Sequence, residues 1–173
     1  MLAPILVAAT GWIGSLQLAT SNAASVVALY GPPDAEGWFI GGGAYPPSRA
    51  LGYECVPRER NDRWAVTNSG PWCRTVFWAD PVTGAVGDFF TSSSRFVAEH
   101  GVRVGTPTAT AERRLHEPTF AGCSAGFHRG DLTIWIDGGS WWQLPSHEFR
   151  VIGGRVSAFF LLNPTGELGI FDC

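Results

Sequence analysis

The chain has 173 residues, 45% of them apolar and 16% charged, with a formal net charge of -3. That is hydrophobic material for one core, too short a chain for two ordinary domains, and too little charge for disorder. The 22 glycines, 12 prolines, 8 tryptophans, 3 tyrosines and 11 phenylalanines describe ring-rich strands joined by many turns, and they argue against a helical bundle.

The first segment, Met1 to Pro33, carries no charged side chain. Leu2 to Ala9 is a compact apolar run, and the small residues Ser21 and Ala23 fit a signal-peptidase site after Ala23. No lysine or arginine opens the segment, so the secretory pattern is incomplete. The expectation is a signal peptide or hydrophobic leader over residues 1–24 and one disulfide-braced domain over 25–173. A membrane anchor and a buried amino-terminal strand or helix are the competing readings; Thr10, Gly11, Gly14, Ser15 and Gln17 interrupt any membrane span. Once the leader is removed, no later stretch resembles a transmembrane helix.

After Pro46 and Pro47, a helical turn is predicted from Ser48 through Ala50 and Leu51 to Gly52. The cysteines are Cys55, Cys73, Cys123 and Cys173, an even number without C-x-x-C or zinc spacing. Oxidised pairs are the simplest account, and the pairing Cys55–Cys73 with Cys123–Cys173 keeps each bridge within one half of the chain. Four buried thiols are the alternative.

Thr75 to Ala79 is a β-branched and aromatic run, turned by Asp80-Pro81-Val82-Thr83-Gly84 and returned by Ala85 to Phe90, which reads as a hairpin. The same grammar recurs at Val156 to Leu162, Asn163-Pro164-Thr165-Gly166 and Glu167 to Asp172. Gly84, Val86, Gly87 and Phe89 are matched by Gly166, Leu168, Gly169 and Phe171, so two similar halves are suggested. Between the hairpins, Thr106 caps a helix that Pro107 opens, that runs to Leu115 and that Pro118 stops; Gly101 to Gly105 precedes it as a short strand or tight entry. Leu132 to Ile136 is a strand bounded by glycines. The fold class is α+β, an antiparallel β-sheet with one or two short helices.

Gly122-Cys123-Ser124-Ala125-Gly126 satisfies the Gly-x-Ser-x-Gly elbow of serine hydrolases, and His128, His147, Asp131 and Asp137 are the residues that would complete a triad with Ser124. The elbow needs a strand before it and a helix after it, whereas Glu117-Pro118-Thr119 precedes and a strand pattern follows. The four histidines lack metal-site spacing, and no phosphate-cradling loop occurs, so neither a metal nor another cofactor is implied. All 12 basic residues are arginine, dispersed from Arg49 to Arg155, and they form no stripe that would follow nucleic acid.

Trp141 and Trp142 lie between Gly138-Gly139 and Pro145, and Trp38, Tyr45 and Trp72 also sit beside glycine or proline. Large rings in loops supply contact area at small entropy cost, so Trp141 and Trp142 are predicted as binding anchors, assisted by Trp38 and Tyr45. Trp64, Trp78 and Trp135 are predicted to be core.

The stretch Gly126-Phe127-His128-Arg129-Gly130, followed by Leu132 and Trp135, together with two half-local disulfides and many rings, resembles the β-lactamase inhibitory proteins of actinobacteria. The resemblance covers about the last third of the chain. It implies repeats that each pack a helix-loop-helix on a four-stranded antiparallel sheet, and a concave aromatic surface that grips an enzyme. Tyr45 to Gly52 matches the helix-loop-helix poorly. The expected function is that of a secreted or cell-surface binding or inhibitor-like protein, with a protein or carbohydrate ligand. A small serine hydrolase and a structural or assembly subunit are the alternatives.

Overall fold

We describe residues 3–40, 47–121, 125–143, 145 and 149–162 of a computed structural model of the chain. The uncharged amino terminus forms three short strands, β1 (Ile5–Ala8), β2 (Trp12–Ile13) and β3 (Leu16–Gln17), and then helix α1 (Ala23–Tyr30). Asn22 caps α1, its side chain accepting the Ser25 N–H at 3.0 Å. The remaining strands are β4 (Ala35–Phe39), β5 (Ser48–Val56), β6 (Trp64–Ala65), β7 (Trp72–Ala79), β8 (Val86–Thr91), β9 (Phe96–Ala98), β10 (Phe120–Ala121), β11 (Ala125–Arg129), β12 (Leu132–Gln143) and β13 (Phe149–Leu162). A 3-10 turn, Glu99–Gly101, follows β9, and helix α2 spans Thr108–Leu115.

The strands make two sheets. A nine-stranded antiparallel sheet runs β10-β11-β12-β13-β8-β7-β5-β4, with β6 also paired to β7. A four-stranded sheet runs β3-β2-β1-β9, in which β1 and β9 are parallel. Adjacent residues of a strand point to opposite faces, so Phe77 and Trp78, Phe89 and Phe90, and Phe159 and Phe160 supply two cores. One face buries Leu51, Phe77, Phe89, Phe127, Ile134 and Phe159 together with Val7, Ile13 and Phe96 of the small sheet, Val26 of α1, and Leu115 of α2. The other buries Val76, Trp78, Phe90 and Phe160 with Trp64, Trp135 and Phe39 packed against them.

The α+β antiparallel architecture is therefore the one the composition predicts, and the hairpin of β7 and β8 stands where the turn residues put it. Asp80 Oδ1 accepts the N–H groups of Val82 and Thr83, and Gly84 exits at φ +72°. The helix before Pro118 is present, but Pro107 rather than Thr106 is its N-cap; Thr106 Oγ1 instead accepts the Arg103 N–H at 2.9 Å. The helical turn predicted over Ser48 to Gly52 is a strand. Pairing on both sides, with Leu51 opposite both Glu36 and Phe77, buries Ala50 and Leu51 completely, which outweighs the local proline signal. The helix-loop-helix implied for Tyr45 to Gly52 is accordingly absent from Ser48 onward, and Tyr45 lies outside the described residues.

Within the segment expected as a leader, Val7, Ile13, Leu16 and Leu18 are 0 to 7% exposed in the core, and α1 begins at Ala23. The Cys55–Cys73 disulfide joins register partners on β5 and β7. Cys123 and Cys173 lie outside the described residues, as does the return strand of the second hairpin beyond Leu162. Among the described residues no helix is long and apolar enough to cross a membrane.

Candidate binding groove

The ladder between β12 and β13 is interrupted twice, and the interruptions make the site. Trp135 pairs with Ala158 but Ile136 pairs with Val156, so Ser157 is the extra residue of a β-bulge. The bulge lets Val156 join one core and Ala158 the other. A few residues on, Gly138, Gly153 and Gly154 have φ of +72°, +78° and +75°. A Cβ at Gly154 would stand 2.6 Å from the Asp137 carbonyl oxygen, so the bend requires glycine there.

Facing this bend is loop 57–63, which covers part of the aromatic face. Arg63 donates to the Glu54 carbonyl, Ser92 donates to the Asp62 carbonyl, and Asp62 Oδ2 lies 3.2 Å from Arg74 Nη2. The loop leaves β5 just past the disulfide. Gly52 lets the sulfurs in: a Cβ there would lie 2.4 Å from Cys73 Sγ and 2.4 Å from Val66 Cγ2.

Two adjoining cavities open between the loop and the bend. The inner one, about 200 Å³, is lined by Trp64, Phe90, Ser92 and Trp135. The outer one, about 670 Å³, is lined by Pro107, Gly138, Gly154 and Arg155, and the two share Asp62, Asp137 and Ser157. Trp64 and Trp135 have ring centroids 5.9 Å apart at 44°, and Trp135 stacks on Phe160 at 5.8 Å and 16°. Rings at the base and convergent polar groups at the rim make a surface for holding a small ligand. Among the described residues no cluster of three metal-ligating side chains occurs.

Of the candidate site residues singled out from sequence, Asp137 lines the groove. Trp141 and Trp142 are not in a loop: both are in β12, paired with Val151 and Arg150, because the Gly138-Gly139 pair bends the strand instead of ending it. Their side chains lie outside the described residues. Trp38 is in β4 and 54% exposed. β12 and β4 are five strand positions apart in the sheet, about 24 Å by strand spacing.

Of the hydrolase candidates, Ser124 and His147 lie outside the described residues. The motif's last two residues, Ala125 and Gly126, begin strand β11, which is antiparallel to β10 with Ala121 opposite Ala125. His128 Nδ1 lies 3.0 Å from Thr133 Oγ1, and its ring stacks on Phe120 at 3.9 Å. Burial holds its pKa below the ordinary histidine value. Asp131 and Asp137 sit before and within one strand, six residues or about 20 Å apart, too far to serve one imidazole together. Asp137, Ser157 and Trp135 do come together, at the groove.

The groove residues Asp62, Arg155 and Ser157 were not legible from sequence. The available signal was two glycine pairs, Gly138-Gly139 and Gly153-Gly154, in segments otherwise patterned as strands.

The fold is similar to one of known structure. The crystal structure of the uncharacterized protein yfeY from Escherichia coli is similar at a TM-score of 0.52 and 13% identity, over 91% of this chain and 99% of that one. At that identity the likeness bears on the fold alone. No protein-family model and no curated protein sequence matches the chain.

Proposed function

We propose that the chain is a binding protein of an oxidising compartment, secreted or at the cell surface, whose ligand seats in the groove between loop 57–63 and the bend of β12 and β13. The observation that carries this reading is the ring-based inner cavity opening, past Asp62, Asp137 and Ser157, into a wider polar channel. The Cys55–Cys73 bridge supports the compartment, since such bonds persist where thiols are not kept reduced. It also supports the site, because it ties the strands from which loop 57–63 departs.

A protein partner, as the resemblance to β-lactamase inhibitory proteins implies, is the second reading. It is favoured by Trp38 and Ile40, 54% and 58% exposed at the sheet edge. A small-molecule fragment screen followed by two-dimensional NMR separates the two. The groove reading expects hits to move the amides of residues 135–138 and 154–158. Hits confined to β4 around Trp38, or no hits in the groove, contradict it.

A further inference from the structure

The chemistry of the groove narrows its occupant, and this step rests on the binding reading above. Two aspartates, Asp62 and Asp137, and two arginines, Arg63 and Arg155, line the cavities. The walls therefore carry no net formal charge, and a charged ligand would lose beside one sign what it gains beside the other. A quaternary ammonium group would suit Trp64, Trp135, Asp62 and Asp137 of the inner cavity but would also meet Arg63 there, which makes it the competing probe.

Asp62 and Arg63 already have partners within the protein. Asp62 is 3.2 Å from Arg74 and 3.5 Å from Arg60, and Arg63 is bonded to the Glu54 carbonyl. Asp137 and Arg155 differ. They are register partners on β12 and β13, both exposed, yet among the described residues neither makes an ion pair. Asp137 Oδ1 accepts the Gly138 N–H at 2.7 Å, and Arg155 Nη1 donates to the Gly105 carbonyl at 2.9 Å. Each side chain is thus oriented by one backbone bond that leaves acceptor sites on the carboxylate and donors on the guanidinium for a third group.

An acceptor beside a fork of donors matches neighbouring hydroxyls, each of which both donates and accepts. Indole rings beneath match the C–H face of a sugar ring. We infer that the groove binds a neutral oligosaccharide, with one ring in the inner cavity against Trp64 and Trp135 and the following units along the outer channel, hydrogen-bonded to Asp137 and Arg155.

The test is titration of ¹⁵N-labelled protein with neutral trisaccharides of glucose, galactose, mannose and N-acetylglucosamine, and in parallel with tetramethylammonium and with a neutral tripeptide. The indole N–H signals of Trp64 and Trp135 are the readout. The expected result is saturable movement of both with at least one trisaccharide, at an affinity insensitive to salt because the ligand is uncharged. Asp137→Ala and Arg155→Ala should each weaken it about tenfold, the scale of losing one hydrogen bond to a charged group. Their thermal unfolding should match that of the parent, since both side chains are exposed. Movement with tetramethylammonium or the tripeptide and with no trisaccharide overturns the ligand class while leaving the groove as a binding site. Stillness of both indoles with every probe overturns the groove as well. Unaltered affinity in both variants overturns the assigned hydrogen bonds.

Discussion

His128 stacks on Phe120 and meets Thr133, and the cost of charging it there has a measurable sign. Burial lowers its pKa in the folded chain, so the unfolded chain takes up the proton first as the pH falls. Stability should be full above the ordinary histidine range, decline as the pH drops through it, and level off below the folded value. Denaturant midpoints measured from roughly pH 8 to pH 5 should show this step in the parent and lose it in His128→Gln, whose side chain does not titrate in that window. At this scale the sequence was informative about turns and poor about partners. Gly84 and Asp80 announced a turn because a single local geometry needs them. Nothing local announces that Ser157 is the residue left over when Trp135 pairs with Ala158 and Ile136 with Val156.

Strands and helices respond to context that a window of sequence does not contain. Ser48 to Gly52 follows two prolines as a helix start does, but its place between β4 and β7 decides its state. Trp141 and Trp142 look like loop residues between Gly138-Gly139 and Pro145, yet the partner strand around Val151 carries β12 past the glycines. The amino terminus has the same character. Removal of residues 1–24 would take out β1, β2, β3 and the Asn22 cap, and with them Val7, Ile13, Leu16 and Leu18. At about 2 kcal/mol for each buried aliphatic side chain, the loss is of the order of a whole domain's stability. A chain beginning at Ser25 should therefore show no cooperative unfolding transition, whereas a sharp transition like that of the parent would mean that these strands are dispensable. The bridge between β5 and β7 acts at this scale too. Its sequence separation is 18 residues, for which loop-closure entropy gives about 3 kcal/mol. Replacing Cys55 and Cys73 together by alanine should cost about that much in a denaturant titration, and an unchanged midpoint would contradict it.

For the molecule as a whole, the ring-rich runs and their turns made the antiparallel sheet legible, but not that both of its faces are buried. Phe89-Phe90 and Phe159-Phe160 can be buried only if both faces are covered, and their pairing across β8 and β13 joins β7 and β8 to β12 and β13 in one sheet. Which cover stands on which face was not legible, because the small sheet joins β1 to β9 across most of the first half of the chain. The groove belongs to this largest scale, since it needs the disulfide-tied loop 57–63, the aromatic face and the bent β12–β13 ladder at once. Its central claim is that a ligand rests on Trp64 and Trp135 between Asp62 and Asp137. The most direct measurement is a crystal structure of the protein grown with the best-bound neutral trisaccharide. A sugar ring against those indoles with hydroxyls on Asp137 and Arg155 is the expected result; a ligand seated on Trp38 and β4, or an empty groove at saturating trisaccharide, would contradict it.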